Sequence, residues 1–133
     1  MGSRHEIEVR YGEVDLQRVV FNAHYLAYVD DAMDRWMRQL DADFERLGWD
    51  FMVKRADLVW SGAAGLGDTI VVDSEVSSWG RTSFTVRHRL SVGDREVLVA
   101  AVTYVGVGHG TNRPLAPPPE IRRHLGGPDT DAS

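Results

Sequence analysis

Apolar and polar positions alternate from His5 to Tyr11, with Ile7, Val9 and Tyr11 on one side and Glu6, Glu8 and Arg10 on the other. That period of two predicts a strand. A polar stretch, Gly12 to Arg18, follows it. After Val19-Val20-Phe21 comes Asn22, a residue type suited to cap a helix, and from Ala23 to Leu47 there is neither Pro nor Gly. Leu26, Val29, Met33, Trp36, Met37 and Leu40 recur at helical spacing, while Asp30, Asp31, Asp34, Arg35 and Arg38 fill the other side. The pattern predicts one long amphipathic helix, with Gly48 as its stop.

Four β-rich runs come next: Phe51–Trp60, Thr69–Trp79, Thr82–Val92 and Glu96–Val107. Glycines from Gly62 to Gly67 mark a turn, and Gly80-Arg81 and Gly93-Asp94 stand where hairpin turns belong. Pro117-Pro118-Pro119 opens a short helix, Glu120–Leu125. Strand, long helix, then four strands predicts an α+β domain over residues 1–125, an antiparallel sheet wrapped around one central helix. Residues 126–133 read as a small, polar, disordered tail. Such a sheet leaves an edge strand to manage, and pairing edges in a homodimer is one solution.

Composition narrows the function classes. The chain has 133 residues and 43% hydrophobic residues, as an ordinary globular domain does. A net charge of −5 argues against a nucleic-acid partner, which needs a basic surface. There is no cysteine, so a disulfide, a thiolate metal site and a Cys nucleophile are excluded. No apolar run approaches the length of a membrane span, so no membrane insertion and a cytoplasmic location are expected. His5, His88, His109 and His124 lack ligand spacing, and no metal is expected. The absence of a Gly-x-Ser-x-Gly elbow excludes an α/β-hydrolase serine nucleophile.

The segment with chemical content is Tyr11-Gly-Glu-Val-Asp15-Leu-Gln-Arg18-Val-Val-Phe21-Asn22-Ala-His24-Tyr25. It sets a carboxylate in a loop seven residues before a helix start. The unpaired amides there could hold a developing oxyanion. A nearby carboxylate could attack a carbonyl or activate water. An Asp in a polar loop is also an ordinary turn residue.

From Asp15 to Tyr25 the chain resembles the 4-hydroxybenzoyl-CoA thioesterase family, including its YbgC-type acyl-CoA thioesterases, members of the hotdog superfamily. Gly67-Asp68 before Thr-Ile-Val-Val, and Asn112-Arg113-Pro114 before the last helix, extend the resemblance. It implies a hotdog fold and hydrolysis of acyl-CoA or acyl-carrier-protein thioesters. No separate cofactor is implied, CoA or phosphopantetheine being part of the substrate. Asp15 would be nucleophile or general base, and the Asn22 backbone N–H an oxyanion donor. Two protomers, or four, would build the sites between them.

One position departs from that pattern: Arg18 stands where the family carries Gly. The guanidinium would either point outward or turn inward toward Asp15 and a substrate phosphate. Phe21, Tyr25 and Trp60 are candidates for the acyl pocket, His24 for a pocket or hydrogen-bonding role, and Arg35 for a salt bridge or a substrate contact. Two other readings stay open. A hotdog module could bind acyl-thioesters without cleaving them, and a hotdog dehydratase or polyketide-tailoring enzyme would use His24.

Overall fold

A computed structural model describes residues 2–40 and 43–128. Five strands, β1 (Ser3–Glu8), β2 (Trp49–Trp60), β3 (Thr69–Trp79), β4 (Ser83–Val92) and β5 (Arg95–Gly108), form one antiparallel sheet in the order β1-β3-β4-β5-β2. Helix α1 (Asn22–Arg38) packs on one face of it, and α2 (Phe44–Leu47) is a single turn. Helix α3 (Pro119–Leu125) follows the sheet. This is the hotdog fold.

The alternation along the strands builds the core. Ile70 and Val72 of β3, Phe84, Val86 and Leu90 of β4, and Leu98, Ala100 and Val102 of β5 are all buried. They meet Tyr25, Val29, Ala32, Met33 and Trp36 from the apolar stripe of α1. Each fully buried large side chain contributes about 1.5–3 kcal/mol. Helix α3 seats Ile121 and Leu125 in the same core. Its His124 Nε2 bonds the Trp36 carbonyl at 2.7 Å, and Trp79 Nε1 donates to the Gly126 carbonyl at 2.9 Å.

Two expectations change. The single long helix is two, because α1 ends at Arg38 and Asp43 starts α2. The Asp43 carboxylate accepts the Glu45 and Arg46 N–H groups at 3.0 and 3.4 Å, a local bond that competes with continued helix. Gly48, at φ 66, does stop the chain there. The first strand ends at Glu8, and Tyr11 opens a 3-10 turn with its side chain exposed rather than inward. Of the expected tail, Gly126–Pro128 is irregular, and 129–133 lie outside the described residues.

One glycine is held by a close approach. A Cβ on Gly106 would run into the Leu115 carbonyl oxygen and the Trp49 indole nitrogen. The indole itself donates to that carbonyl at 3.1 Å. Gly106→Ala is therefore expected to cost about 2 kcal/mol, as overpacking of a close-packed core does. Urea unfolding would read it; an unchanged midpoint would mean that Trp49 can yield freely.

Candidate active site

The loop before α1 is a hairpin. Val14 and Val20 form an antiparallel bridge. Asp15 N–H donates to the Val19 carbonyl and Phe21 N–H to the Glu13 carbonyl, each at 3.0 Å. The tip closes where Arg18 N–H meets the Asp15 carbonyl at 2.9 Å. Arg18 then takes φ 64. A turn followed by one left-handed residue is a standard hairpin ending, usually with Gly in the left-handed place. Arg18 adopts that conformation itself, at a cost of about 1 kcal/mol. Its side chain is exposed and makes no ion pair or hydrogen bond among the described residues. The loop thus closes without the glycine.

Asp15 is half-buried. Its Oδ1 accepts the Gln17 N–H at 2.8 Å, which orients the carboxylate. Its Oδ2 has no partner among the described residues. The ladder pairs Asp15 with Val19, Val14 with Val20 and Glu13 with Phe21, and then feeds directly into α1. At the rise of a strand, Asp15 stands about 10 Å from the helix start.

The helix starts one residue earlier than its cap chemistry suggests. Phe21 is the N-cap, extended at ψ 137, and Asn22 is the first helical residue rather than a side-chain cap. The physical reason is the ladder, which holds Phe21 extended by its bond to Glu13. His24 N–H is taken by the Phe21 carbonyl at 2.9 Å. The N–H groups of Asn22 and Ala23 have no acceptor among the described residues, and both residues are exposed. They are free donors at the positive end of a 17-residue helix.

The glycine turn of residues 62–68 braces this hairpin. Val20 N–H donates to the Ala64 carbonyl at 2.8 Å, and Ala64 N–H donates to the Tyr25 hydroxyl at 3.1 Å. Asp68 Oδ2 accepts the Gly65 N–H at 2.8 Å. Tyr25 is buried, with its ring edge-on to Tyr28 and to Trp60, each at 5.9 Å. Trp60 and Phe21 remain 42% and 52% exposed, which leaves an apolar wall open beside the helix start. His24 is half-buried with its ring 6.1 Å from Phe21.

The fold therefore gathers Asp15, Arg18, Phe21, Asn22, His24, Tyr25 and Trp60 around one helix end. Arg35 lies apart, about 20 Å along α1 at helical rise. It is paired with Asp31 at 3.1 Å, which is its salt-bridge reading. Among the other helix carboxylates, Asp34 pairs with Arg38 at 2.7 Å. Burial raises Asp30 above the ordinary carboxyl range.

Glu13 is a residue that the sequence reading passed over. Its Oε1 accepts the Arg10 N–H at 2.8 Å and the Tyr28 hydroxyl at 3.0 Å, and its Oε2 accepts from the Arg10 guanidinium at 2.9 Å. Burial by itself would push this carboxyl up; the bonds from Arg10 and Tyr28 outweigh it and hold it below its ordinary value. Burial, then Glu13, pushes the Tyr28 hydroxyl up. The one hint in the sequence is an acidic residue two places before Asp15.

A family model described as the thioesterase-like superfamily matches residues 9–125. The acyl-CoA thioesterase YbgC of Haemophilus influenzae is 28% identical over 120 residues, 87% of this chain and 88% of that one. Among solved structures, a Staphylococcus aureus protein in complex with CoA superposes with a TM-score of 0.85 at 16% identity, over 94% of this chain and 82% of its own. The 1,4-dihydroxy-2-naphthoyl-CoA thioesterase of Synechocystis superposes with 0.83 at 14% identity, over 94% and 96%.

Proposed function

Because the chain belongs to the thioesterase-like superfamily, we propose that it hydrolyses acyl-CoA thioesters to a free acid and CoA, with Asp15 as the reacting carboxylate. The observation that carries this reading is the hairpin itself. It anchors one Asp15 oxygen on Gln17 and runs into the helix start; among the described residues the other Asp15 oxygen and the Asn22 and Ala23 amides have no partner. A thioester carbonyl seated on those amides has its developing negative charge stabilised. Asp15 Oδ2 then attacks the carbonyl carbon or takes a proton from water. In the first case the CoA thiolate leaves as a mixed anhydride forms, which water then hydrolyses to the acid; in the second the deprotonated water adds to the carbonyl and the thiolate leaves, taking up the proton.

The remaining gathered residues have roles in binding. Phe21, Trp60 and Tyr25 supply the wall for the acyl group, and His24 borders it. The unpaired Arg18 guanidinium on the hairpin tip suits a phosphate of CoA or phosphopantetheine. The pantetheine arm is common to CoA and to acyl carrier protein, so the carrier-bound thioester is the second substrate form. CoA arrives as part of the substrate, and no resident cofactor is needed for this chemistry. Among the described residues no helix is long and apolar enough to cross a membrane.

A second copy completes the site in this reading. The outer edge of β2 is unpaired among the described residues. Met52, Val53, Val59 and Trp60 on that strand are exposed. The same strand also exposes Lys54, Arg55 and Asp57 between these apolar residues, and an open strand edge with apolar residues at both ends can associate with another strand. Homodimers paired through β2, or tetramers of them, would cover it and bring one protomer's strand residues toward its partner's helix start.

Release of free thiol from a panel of acyl-CoAs, short, long and aromatic, tests the reading on a preparation whose mass in solution is also measured. Turnover of at least one member by a dimer or tetramer is expected. Stable binding of acyl-CoA with no thiol released would sink hydrolysis in favour of a binding module. An active monomer would remove the second copy from the site.

A further inference from the structure

We infer that Glu13 is the positioning residue of this site, the clamp that holds the Asp15 hairpin in register with the start of α1. The inference rests on the hydrolytic reading of Asp15 and Asn22, and adds to it a residue that does not touch the substrate.

Glu13 joins three pieces of chain. Its backbone carbonyl accepts the Phe21 N–H at 3.0 Å, the last rung before α1. Its Oε1 takes the Tyr28 hydroxyl at 3.0 Å, from the second turn of α1, and the Arg10 N–H at 2.8 Å, where the chain leaves β1. The guanidinium of Arg10 closes on Oε2 at 2.9 Å. The Glu13 side chain is only 12% exposed, while that of Arg10 is 80% exposed. An ion pair with so exposed a partner contributes little by itself. The enclosed bonds to Tyr28 and the Arg10 amide are the strong ones, since a carboxylate shielded from water makes them without competition.

The consequence is geometric. Tyr28 is buried and belongs to the rigid helix. Through Glu13, its hydroxyl sets where the hairpin stands relative to the Asn22 and Ala23 amides. Asp15 is two residues from Glu13 on the same hairpin strand, so a loosened clamp displaces Asp15 from the carbonyl that those amides hold. A misplacement of the order of 1 Å lowers the chemical rate about a hundredfold without removing any group that binds substrate.

The test uses three variants on the best acyl-CoA of the panel. Glu13→Ala removes the clamp, and kcat should fall about 10- to 100-fold with KM changed less than about threefold. Glu13→Gln keeps an acceptor for Tyr28 and for the Arg10 amide, and should retain kcat within about threefold, with the acidic limb of its pH profile unmoved. Tyr28→Phe should fall between them, and stands in for Glu13→Ala if that protein does not fold. A separate arm needs no turnover: hydrogen exchange of the Asp15 and Phe21 amides should quicken about tenfold in Glu13→Ala or Tyr28→Phe, while the Val86 and Val102 amides keep their rates.

Parental kcat in both Glu13→Ala and Tyr28→Phe overturns the clamp. So does a rise in KM at constant kcat. A Glu13→Gln protein as poor as Glu13→Ala, with a shifted acidic limb, makes Glu13 a proton-transfer group instead. If the parent cleaves no thioester, the hydrolytic reading has failed and the exchange arm alone decides: unchanged Asp15 and Phe21 exchange overturns the clamp, and faster exchange upholds it.

Discussion

Asp15→Asn is expected to lower turnover on every acyl-CoA that the parent cleaves by about a hundred- to a thousandfold, with KM little changed. The asymmetry of the carboxylate is the reason. Oδ1 is committed to the Gln17 N–H, and an asparagine carbonyl accepts the same bond at the same place. The hairpin, its left-handed Arg18 and the rung from Phe21 to Glu13 should all survive the change. What is lost is the anionic Oδ2, the atom proposed to attack or deprotonate. An amide is neutral, and its nitrogen is neither a base nor a nucleophile at neutral pH. Steady-state kinetics with thiol detection, alongside thermal unfolding to show an intact fold, would check it. Full turnover by Asp15→Asn would remove Asp15 from the chemistry. If His24→Ala then abolished activity while Asp15→Ala did not, the tailoring or dehydratase reading would take over.

The second large effect concerns acid stability and originates in the core. His88 is fully buried, with Nδ1 2.7 Å from Ser74 Oγ and Nε2 3.1 Å from the Tyr104 hydroxyl. Both partners are neutral hydroxyls. The other charge toward this end of the network is Asp30, which, after burial, raises the Tyr104 hydroxyl. Burial lowers His88 to about 4, against an ordinary 6.5. Above that ordinary value the ring is neutral both folded and unfolded, and pH has no hold on it. As pH falls below it, the unfolded chain binds a proton that the folded chain refuses. Stability therefore drops through this window and levels off once the folded form also protonates, near pH 4. The loss attached to this one ring amounts to about 3 kcal/mol.

Urea unfolding of the parent and of His88→Gln across that range isolates the effect. Glutamine gives up some stability at neutral pH but cannot take the proton, so its curve should be flatter by as much as about 1.4 kcal/mol per pH unit. Equal slopes would mean that the folded state accepts the proton freely. Glu13, held below its ordinary value, adds its own loss at lower pH and does so equally in both proteins.

The sequence by itself determined the strands and the amphipathic face, and it singled out the segment proposed to carry the chemistry. Val72, Val86 and Val102 point inward because side chains alternate along a strand, and that alternation is written directly into residues 69–107. Trp36 and Met33 point inward for the equivalent helical reason. Asp15 and the helix start at Asn22 were legible as a carboxylate and a set of free amides, because both are local features of one short stretch. Arg18 was legible only as an exception. Whether that exception broke the loop depended on rungs from Asp15 to Val19 and from Val20 to Ala64, which join residues through space.

Only the tertiary structure decided the partners of buried polar groups. Glu13 looked like any acidic residue before a loop until Tyr28, fifteen positions on, met its carboxylate. His88 looked like a histidine without ligand spacing until β3 and β5 enclosed it between Ser74 and Tyr104. The break after α1 was equally hidden, because Asp43 reads as one more polar position on a helix until its side chain caps the next turn. The Asp43 cap is a local bond to amides two and three places on, whereas Glu13 and His88 share a different reason. A hydrophobic period is a property of neighbours along the chain, whereas a hydrogen-bond partner for a buried polar group is chosen by which distant segment the fold brings against it.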